Sequence, residues 1–204
     1  MSAGDRSVEE TGSAPPRADR GGRDEAFERE ALPWLDDVYR FALSLTRDEA
    51  DAEDVVQDTF LRAYRSWDTY AAGSDCRRWL FTICRNAFLR SREREPRTTE
   101  LRDAERDAFA AGAAPFADMP RDDLEDVLFR ADLLPAIERA LARVPAPFQS
   151  ALVLVDVEDQ SYEAAAEILG IPIGTLRSRL FRGRRIMQEL LVTHAQDAGI
   201  LRGS

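Results

Sequence analysis

Ser161-Tyr162-Glu163-Ala164-Ala165-Ala166-Glu167-Ile168-Leu169-Gly170, followed by Ile171-Pro172-Ile173-Gly174-Thr175-Leu176-Arg177-Ser178-Arg179-Leu180-Phe181-Arg182-Gly183-Arg184-Arg185, reads as two helices around a tight turn. Ser161 is an N-cap, and Ala164, Ala165, Ile168 and Leu169 form an apolar stripe. Gly170 stands where a glycine ends a helix, and Pro172 prevents its continuation. In the second helix Leu176, Leu180 and Met187 share a side, with Arg177, Ser178, Arg179, Arg182 and Arg185 largely on the other faces. From Ile173 to Gln188 there are five arginines and no carboxylate, in a chain whose formal net charge is −10. A helix-turn-helix places such a second helix in the major groove, where guanidinium groups reach guanine edges and phosphates. The alternative is a solvated basic face on an ordinary helical hairpin.

The chain has 204 residues, room for one domain or two small ones. No apolar run approaches the ~20 residues that span a bilayer, so no membrane insertion is expected. Met1 to Arg23 carries no hydrophobic segment, which excludes a recognisable secretory signal and makes the cytoplasm the expected location. All 28 basic residues are arginine. The acidic excess argues against a general DNA coater; the arginines must act locally, while the acidic surface meets something else, such as a protein. Cys76 and Cys84 are eight residues apart on one predicted helix, about 12 Å, too far for a disulfide. With a single distant histidine, His194, they make a poor zinc set and read as core thiols. No metal-ligand grouping, phosphate-cradling glycine loop or nucleophile–base set is present. The sequence therefore predicts neither an enzyme nor a cofactor.

Helical periodicity divides the remainder. Residues 1–23 lack it and are expected to form a disordered tail. Phe27, Leu32, Leu35, Val38, Tyr39, Ala42 and Leu45 then recur at helical spacing, with Pro33 separating a short helix from a longer one. Thr46-Arg47-Asp48-Glu49 has the form of a capping box opening the next helix, about 48–67. Its predicted core side is Ala52, Val55, Val56, Phe60, Ala63 and Trp67; Asp51, Asp54, Asp58 and Arg62 line the opposite side. That acidic stripe is either a solvated face or a docking face for a basic partner. A loop from Asp68 to Asp75, capped by Ser74 or Asp75, precedes a helix of about 76–95. There Trp79, Leu80, Ile83, Cys84, Ala87 and Phe88 suit a core, and Arg77, Arg78, Arg85, Asn86, Arg90, Arg92 and Arg94 cover the rest. Arginines with Tyr70 and Phe81 suit single-stranded DNA, the arginines following the backbone and the aromatic faces stacking on bases; a plain basic helix closing a bundle is the alternative. Residues 96–123 lose periodicity and gather Ala, Gly, Pro and Asp, the composition of a linker. Helical pattern resumes over 124–192, with Pro145 and Pro147 closing one segment and a short helix over 148–155. Residues 193–204 are expected to be a tail.

Ala50-Asp51-Ala52-Glu53-Asp54-Val55-Val56-Gln57-Asp58-Thr59-Phe60-Leu61-Arg62-Ala63-Tyr64 and Arg78-Trp79-Leu80-Phe81-Thr82-Ile83-Cys84-Arg85-Asn86 closely resemble conserved region 2 of bacterial sigma factors. The Ser161–Leu180 stretch resembles region 4. Two such blocks, covering about 26–95 and 133–192, are similar to the layout of the extracytoplasmic-function group of the sigma-70 superfamily. The resemblance implies an all-α fold of two small helical domains, region 2 at 24–95 and region 4 at 124–192, on a flexible linker. It further implies a non-catalytic subunit that binds core RNA polymerase, recognises −10 and −35 promoter elements and helps open the −10 region. Asp51, Asp54, Gln57, Asp58 and Arg62 would meet the β′ clamp helices. Tyr70, Asp75, Arg78, Arg85 and Asn86 would read the −10 strand. Gly174, Thr175, Arg177, Ser178, Arg179 and Arg182 would read the −35 duplex. The implied partners are core polymerase (β′ clamp helices and β flap), promoter DNA and an anti-sigma factor. In such factors the linker threads the polymerase; residues 96–130 carry nine acidic residues against five arginines, which suits either mimicry of nucleic acid or a solvated tether. Ala165 and Ala166 replace bulkier residues of the family pattern, implying looser packing there. The alternative function is a stand-alone helix-turn-helix repressor or activator.

Overall fold

Amphipathic segments punctuated by proline and glycine give a chain of helices in the computed structural model, which describes residues 18–94 and 133–197; no strand occurs among them. In the first half these are α1 (Ala18–Glu30), a 3₁₀ turn (Leu32–Trp34), α2 (Leu35–Thr46), α3 (Glu49–Arg65), a second 3₁₀ turn (Trp67–Thr69) and α4 (Cys76–Arg94). The second half holds α5 (Leu133–Arg143), α6 (Ala146–Leu152) with a π-helical extension (Val153–Val157), α7 (Tyr162–Leu169) and α8 (Ile173–Asp197). The expected linker, 96–123, and the helical pattern of 124–131 lie outside the described residues.

Several local signals act as read. Pro33 sits in the 3₁₀ turn between α1 and α2, where its missing N–H does no harm. The Ser161 hydroxyl accepts from the Ala164 N–H at 3.1 Å, and Gly170 closes α7 at φ 59°, the left-handed region a glycine enters without steric cost. Asp75, the second of the two proposed caps of α4, accepts from the Arg78 N–H at 3.0 Å.

Other expectations change. Helix α1 begins at Ala18, inside the stretch read as tail, because Arg23 gives it a tertiary hold: its Nη2 donates to the Tyr64 carbonyl at 2.6 Å and its Nε lies 3.4 Å from Asp68. Helix α8 runs on through Asp197, past the expected tail boundary at 192, with Ala195 buried. The cap of α3 is Asp48, which accepts from the Asp51 N–H at 3.0 Å, and not Thr46. Arg47 adopts φ 62° between the two helices, so the capping position shifts by two residues. Leu32 and Leu35, read as part of a core stripe, are exposed; the 3₁₀ turn breaks the helical phase on which that stripe depended.

Apolar faces meet in layers. Helices α2, α3 and α4 enclose Val38, Phe41, Ala52, Val55, Ala63, Leu80, Phe81 and Cys84; in the second half Phe148, Leu152, Leu154, Ala165, Ile168, Leu176 and Leu180 are enclosed. Ala165 and Ala166 are buried. The two cores are continuous, because α2 packs on α6 and α4 on α7.

Candidate partner and nucleic-acid interfaces

The one-sided apolar pattern of α3 turns its polar side outward and lays it beside the end of α4. Between them runs a groove of about 380 Å³ lined by Asp51, Asp54, Gln57, Asp58, Leu61 and Arg62 from α3, and by Ala87, Arg90, Ser91 and Arg92 from α4. All five residues proposed for the docking face are thus brought together. Leu61 adds an apolar element, 48% exposed, that the charge-based reading passed over. The groove is also less acidic than the α3 stripe suggests. Asp58 is tied to Arg62 Nε at 2.7 Å, and Arg90 and Arg92 bring positive charge to the facing wall. Asp51 and Asp54 are the exposed carboxylates that remain.

The proposed −10 set sits around the start of α4, in differing states. Tyr70 stacks on Trp67 with ring centroids 4.7 Å apart, lies 5.1 Å from the Trp79 ring, and donates its hydroxyl to the Ser74 carbonyl at 2.7 Å. Burial raises its pKa. The loop aromatic is therefore held in place, with its ring half-covered. Phe81, proposed with it as a base-stacking side chain, is fully buried against Phe41 and cannot meet a base. Periodicity put it on the exposed side of α4, but α2 covers that side as well. Asp75 is engaged as the helix cap, and Asn86 is exposed. Arg78 pairs with Glu167 of α7. The Arg85 guanidinium lies against Gly170, where an added Cβ would stand 2.8 Å from Nη2. Desolvation there lowers the Arg85 pKa.

The proposed −35 set lies on the first turns of α8. Gly174, Arg177 and Ser178 are exposed, whereas Thr175, Arg179 and Arg182 are half-buried. The Ser178 hydroxyl donates to the Gly174 carbonyl at 3.0 Å. Leu176 and Leu180 anchor the helix from beneath. Gly183 lets α6 cross closely: a Cβ there would stand 2.9 Å from Leu152 Cδ1. The last two arginines of the basic run are engaged with carboxylates. Arg184 grips Asp156 through Nε at 3.0 Å and Nη2 at 2.6 Å and reaches the Tyr162 hydroxyl at 3.3 Å; Arg185 binds Glu189 at 3.0 Å. Arg184 therefore fixes α8 to the π-helical extension of α6 and to the start of α7.

A charged cluster between the halves escaped the sequence reading. Glu158, 0% exposed, accepts from Arg40 Nε at 2.7 Å, from Arg40 Nη2 at 3.3 Å and from Arg77 Nη2. Its backbone carbonyl accepts from Arg77 Nη1 at 2.7 Å. Asp37 completes the cluster, 2.5 Å from Arg40 Nη2 and 2.6 Å from Arg77 Nε. The hydrogen bond to Glu158 outweighs desolvation and raises the Arg40 pKa. Two guanidinium groups and two carboxylates cancel in charge, which is what allows a carboxylate to be buried there. No spacing signal could have brought Glu158 into this set, because it lies 118 residues from Arg40 and 81 from Arg77.

Both cysteines are buried and free. Desolvation pushes Cys76 up to about 11 and Cys84 to about 12, so both are protonated thiols at neutral pH. Among the described residues no helix is long and apolar enough to cross a membrane, and no group of three or more His, Cys, Asp or Glu could hold a metal ion.

Known proteins match both halves. The Sigma-70 region 2 family matches residues 32–98, and the Sigma-70, region 4 family matches residues 134–187. The chain is 36% identical over 164 residues to the ECF RNA polymerase sigma factor SigE of Mycolicibacterium smegmatis, spanning 79% of this chain and 60% of that one. It is 40% identical over 171 residues to the ECF RNA polymerase sigma factor EcfG of Rhodopseudomonas palustris, spanning 82% and 87%. Its fold is similar to that of the sigma factor RpoE from Bartonella quintana, solved in complex with the anti-sigma factor NepR. The TM-score is 0.58 at 34% identity, over 82% of this chain and 97% of that one.

Proposed function

Because the chain belongs to the extracytoplasmic-function RNA polymerase sigma factors, we propose that it joins core polymerase through the α3–α4 groove and reads promoter DNA with α4 and α8. The observation that carries this reading is the groove itself: five residues chosen for polymerase contact line one recess with an exposed leucine at its edge. Asp51 and Asp54 would meet cationic side chains of the β′ clamp helices, and Leu61 would supply the apolar contact that gives such an interface affinity. Region 4 would face the β flap and the −35 duplex. The exposed Arg177 at the start of α8 is placed to contact a base edge or a phosphate, and the backbone at Gly174 and Thr175 to approach a phosphate.

At the −10 element, Arg78 and Arg85 would follow the displaced strand and Asn86 would read an exposed base edge. Unstacking a base costs a few kcal/mol, which capture of the extruded base partly offsets. The Trp67–Tyr70–Trp79 group holds Tyr70 in a fixed pose beside that path, which lowers the entropy cost of receiving a base. The reading assigns no catalytic step to the chain and places it in the cytoplasm with the polymerase. An anti-sigma factor is the expected regulator; the similarity to a sigma factor crystallised with one supports this.

Reconstitution tests the proposal. Core polymerase with the full chain should start transcripts at a promoter that core alone ignores. Asp54→Arg should reduce holoenzyme yield while the helical content is unchanged; it is a cleaner probe than Asp58, whose reversal would also strand Arg62. A chain that binds a palindromic duplex as a dimer and leaves core polymerase unaffected would instead be a stand-alone repressor or activator.

A further inference from the structure

One side of α1 is fastened where α3 ends and the loop before α4 begins. Arg23 Nη2 donates to the Tyr64 carbonyl, in the last turn of α3, at 2.6 Å. The same guanidinium lies 4.9 Å from the centre of the Tyr64 ring. A cation at that end of a helix also meets the negative pole of its dipole. Arg23 Nε is buried and makes no hydrogen bond among the described residues. The Asp68 carboxylate, 3.4 Å away in the 3₁₀ turn Trp67–Thr69, offsets the cost of its desolvation. The neighbouring Asp24 accepts from the Tyr64 hydroxyl at 2.6 Å. One guanidinium therefore joins α1, the end of α3 and the first turn of the loop.

One turn further along α1, the buried Phe27 stands edge-on to Trp67 with ring centroids 5.1 Å apart. Trp67 in turn stacks on Tyr70, whose hydroxyl holds the Ser74 carbonyl. The Tyr70 N–H donates to the Trp67 carbonyl at 3.0 Å, so residues 67–70 form a closed turn that moves as one piece. A line of contacts thus runs from α1 to the ring assigned to the −10 strand, and Arg23 grips the turn at Asp68. We propose that Arg23 is a positioning residue for −10 recognition. It acts through Asp68 on the loop that carries Tyr70, while Phe27 braces Trp67. A loop ordered before binding loses less conformational entropy when a base stacks on it. A recognition side chain carried on a loop also needs such support to hold its geometry. The role rests on the assignment of Tyr70 to the −10 strand made above, so the experiment includes a Tyr70 variant.

Holoenzyme assembled from core polymerase and the full chain would be titrated against two fluorescent single strands. One is the −10 strand of the promoter found by reconstitution; the other has the same bases in scrambled order. The readout is the ratio of the two affinities, in which general electrostatic effects cancel. Asp68→Ala removes a carboxylate whose side chain is 74% exposed. Charge alone predicts tighter binding of both strands, whereas loss of positioning predicts a ratio lower by about threefold or more. Arg23→Ala should lower the ratio as far, and the double variant no further, because the two residues act as a unit. If Arg23→Ala lowers the helical content, Asp68→Ala carries the test, since it leaves α1 its hold on the Tyr64 carbonyl. A ratio at the parent's value in both single variants, with Tyr70→Ala lowering it, would overturn the positioning role and leave the −10 assignment standing. Losses that multiply in the double variant would also overturn it, because Arg23 would then act apart from Asp68. Should Tyr70→Ala leave the ratio unchanged too, the −10 assignment fails and the positioning role falls with it.

Discussion

Replacing Gly183 by alanine should destabilise the second half of the chain, against the trend for glycine inside a helix. Helix propensity favours the substitution by about 1 kcal/mol. The new Cβ, however, would stand 2.9 Å from Leu152 Cδ1, 3.0 Å from Leu152 Cγ and 3.3 Å from Phe148 Cβ. Ordinary carbon contacts lie at about 3.5–4.0 Å, so α6 and α8 must separate or Leu152 must leave its rotamer. Leu152 is 4% exposed and Phe148 6%, so neither can swing into solvent. Overpacking of this kind costs about 1–3 kcal/mol. The net expectation is a loss of about 1 kcal/mol, read from urea unfolding by far-UV circular dichroism. Tryptophan fluorescence would be the wrong probe, because Trp34, Trp67 and Trp79 all lie in the first half. The sign should reverse in a Leu152→Ala background, where the atoms at 2.9 and 3.0 Å are gone; there Gly183→Ala should gain stability. Gly183→Ala alone raising stability would refute the close α6–α8 crossing as the reason for the glycine.

Ser161→Ala removes the acceptor of the Ala164 N–H and should cost about 1 kcal/mol in the same unfolding assay; Ser161→Asp should retain most of the parent's stability. The thiols predict an alkaline limit. With folded values of about 11 for Cys76 and about 12 for Cys84 against an ordinary 9.0, the unfolded chain releases these protons first as pH rises. Their contribution is fully present below pH 9 and falls from there to about 11 for Cys76 and about 12 for Cys84, by about 1.4 kcal/mol per thiol per pH unit. Urea midpoints at pH 8, 9.5 and 10.5 would measure it, and a Cys84→Ala variant should show a shallower decline. At pH 8 a thiol-specific reagent should react only on unfolding.

The helices, several of their ends and the polar side of α3 were legible in the sequence because each is a local property. Ser161, Gly170, Asp75 and Pro33 act within a few residues of themselves, and an i, i+3, i+4 stripe states which face of α3 is buried whatever covers it. The same locality explains the errors. Thr46 loses the cap of α3 to Asp48 because Arg47 turns through a left-handed conformation, and Phe81 looked free because the pattern of α4 contains nothing about α2. Relatedness to sigma factors was equally legible, since the matching blocks are contiguous.

What the tertiary structure alone decided is which charges meet. Nothing in the sequence singles out Asp37, Arg40 or Glu158 or joins them to Arg77, and only the packing of α2 on α6 and α4 on α7 turns the four into a buried, neutral cluster. The carboxylate partners of Arg78 and Arg184 were likewise unreadable until folding gave one Glu167 and the other Asp156. Backbone preference and hydrophobic period are written in neighbouring residues, whereas the energy of an ion depends on the dielectric and the partners that distant segments bring to it.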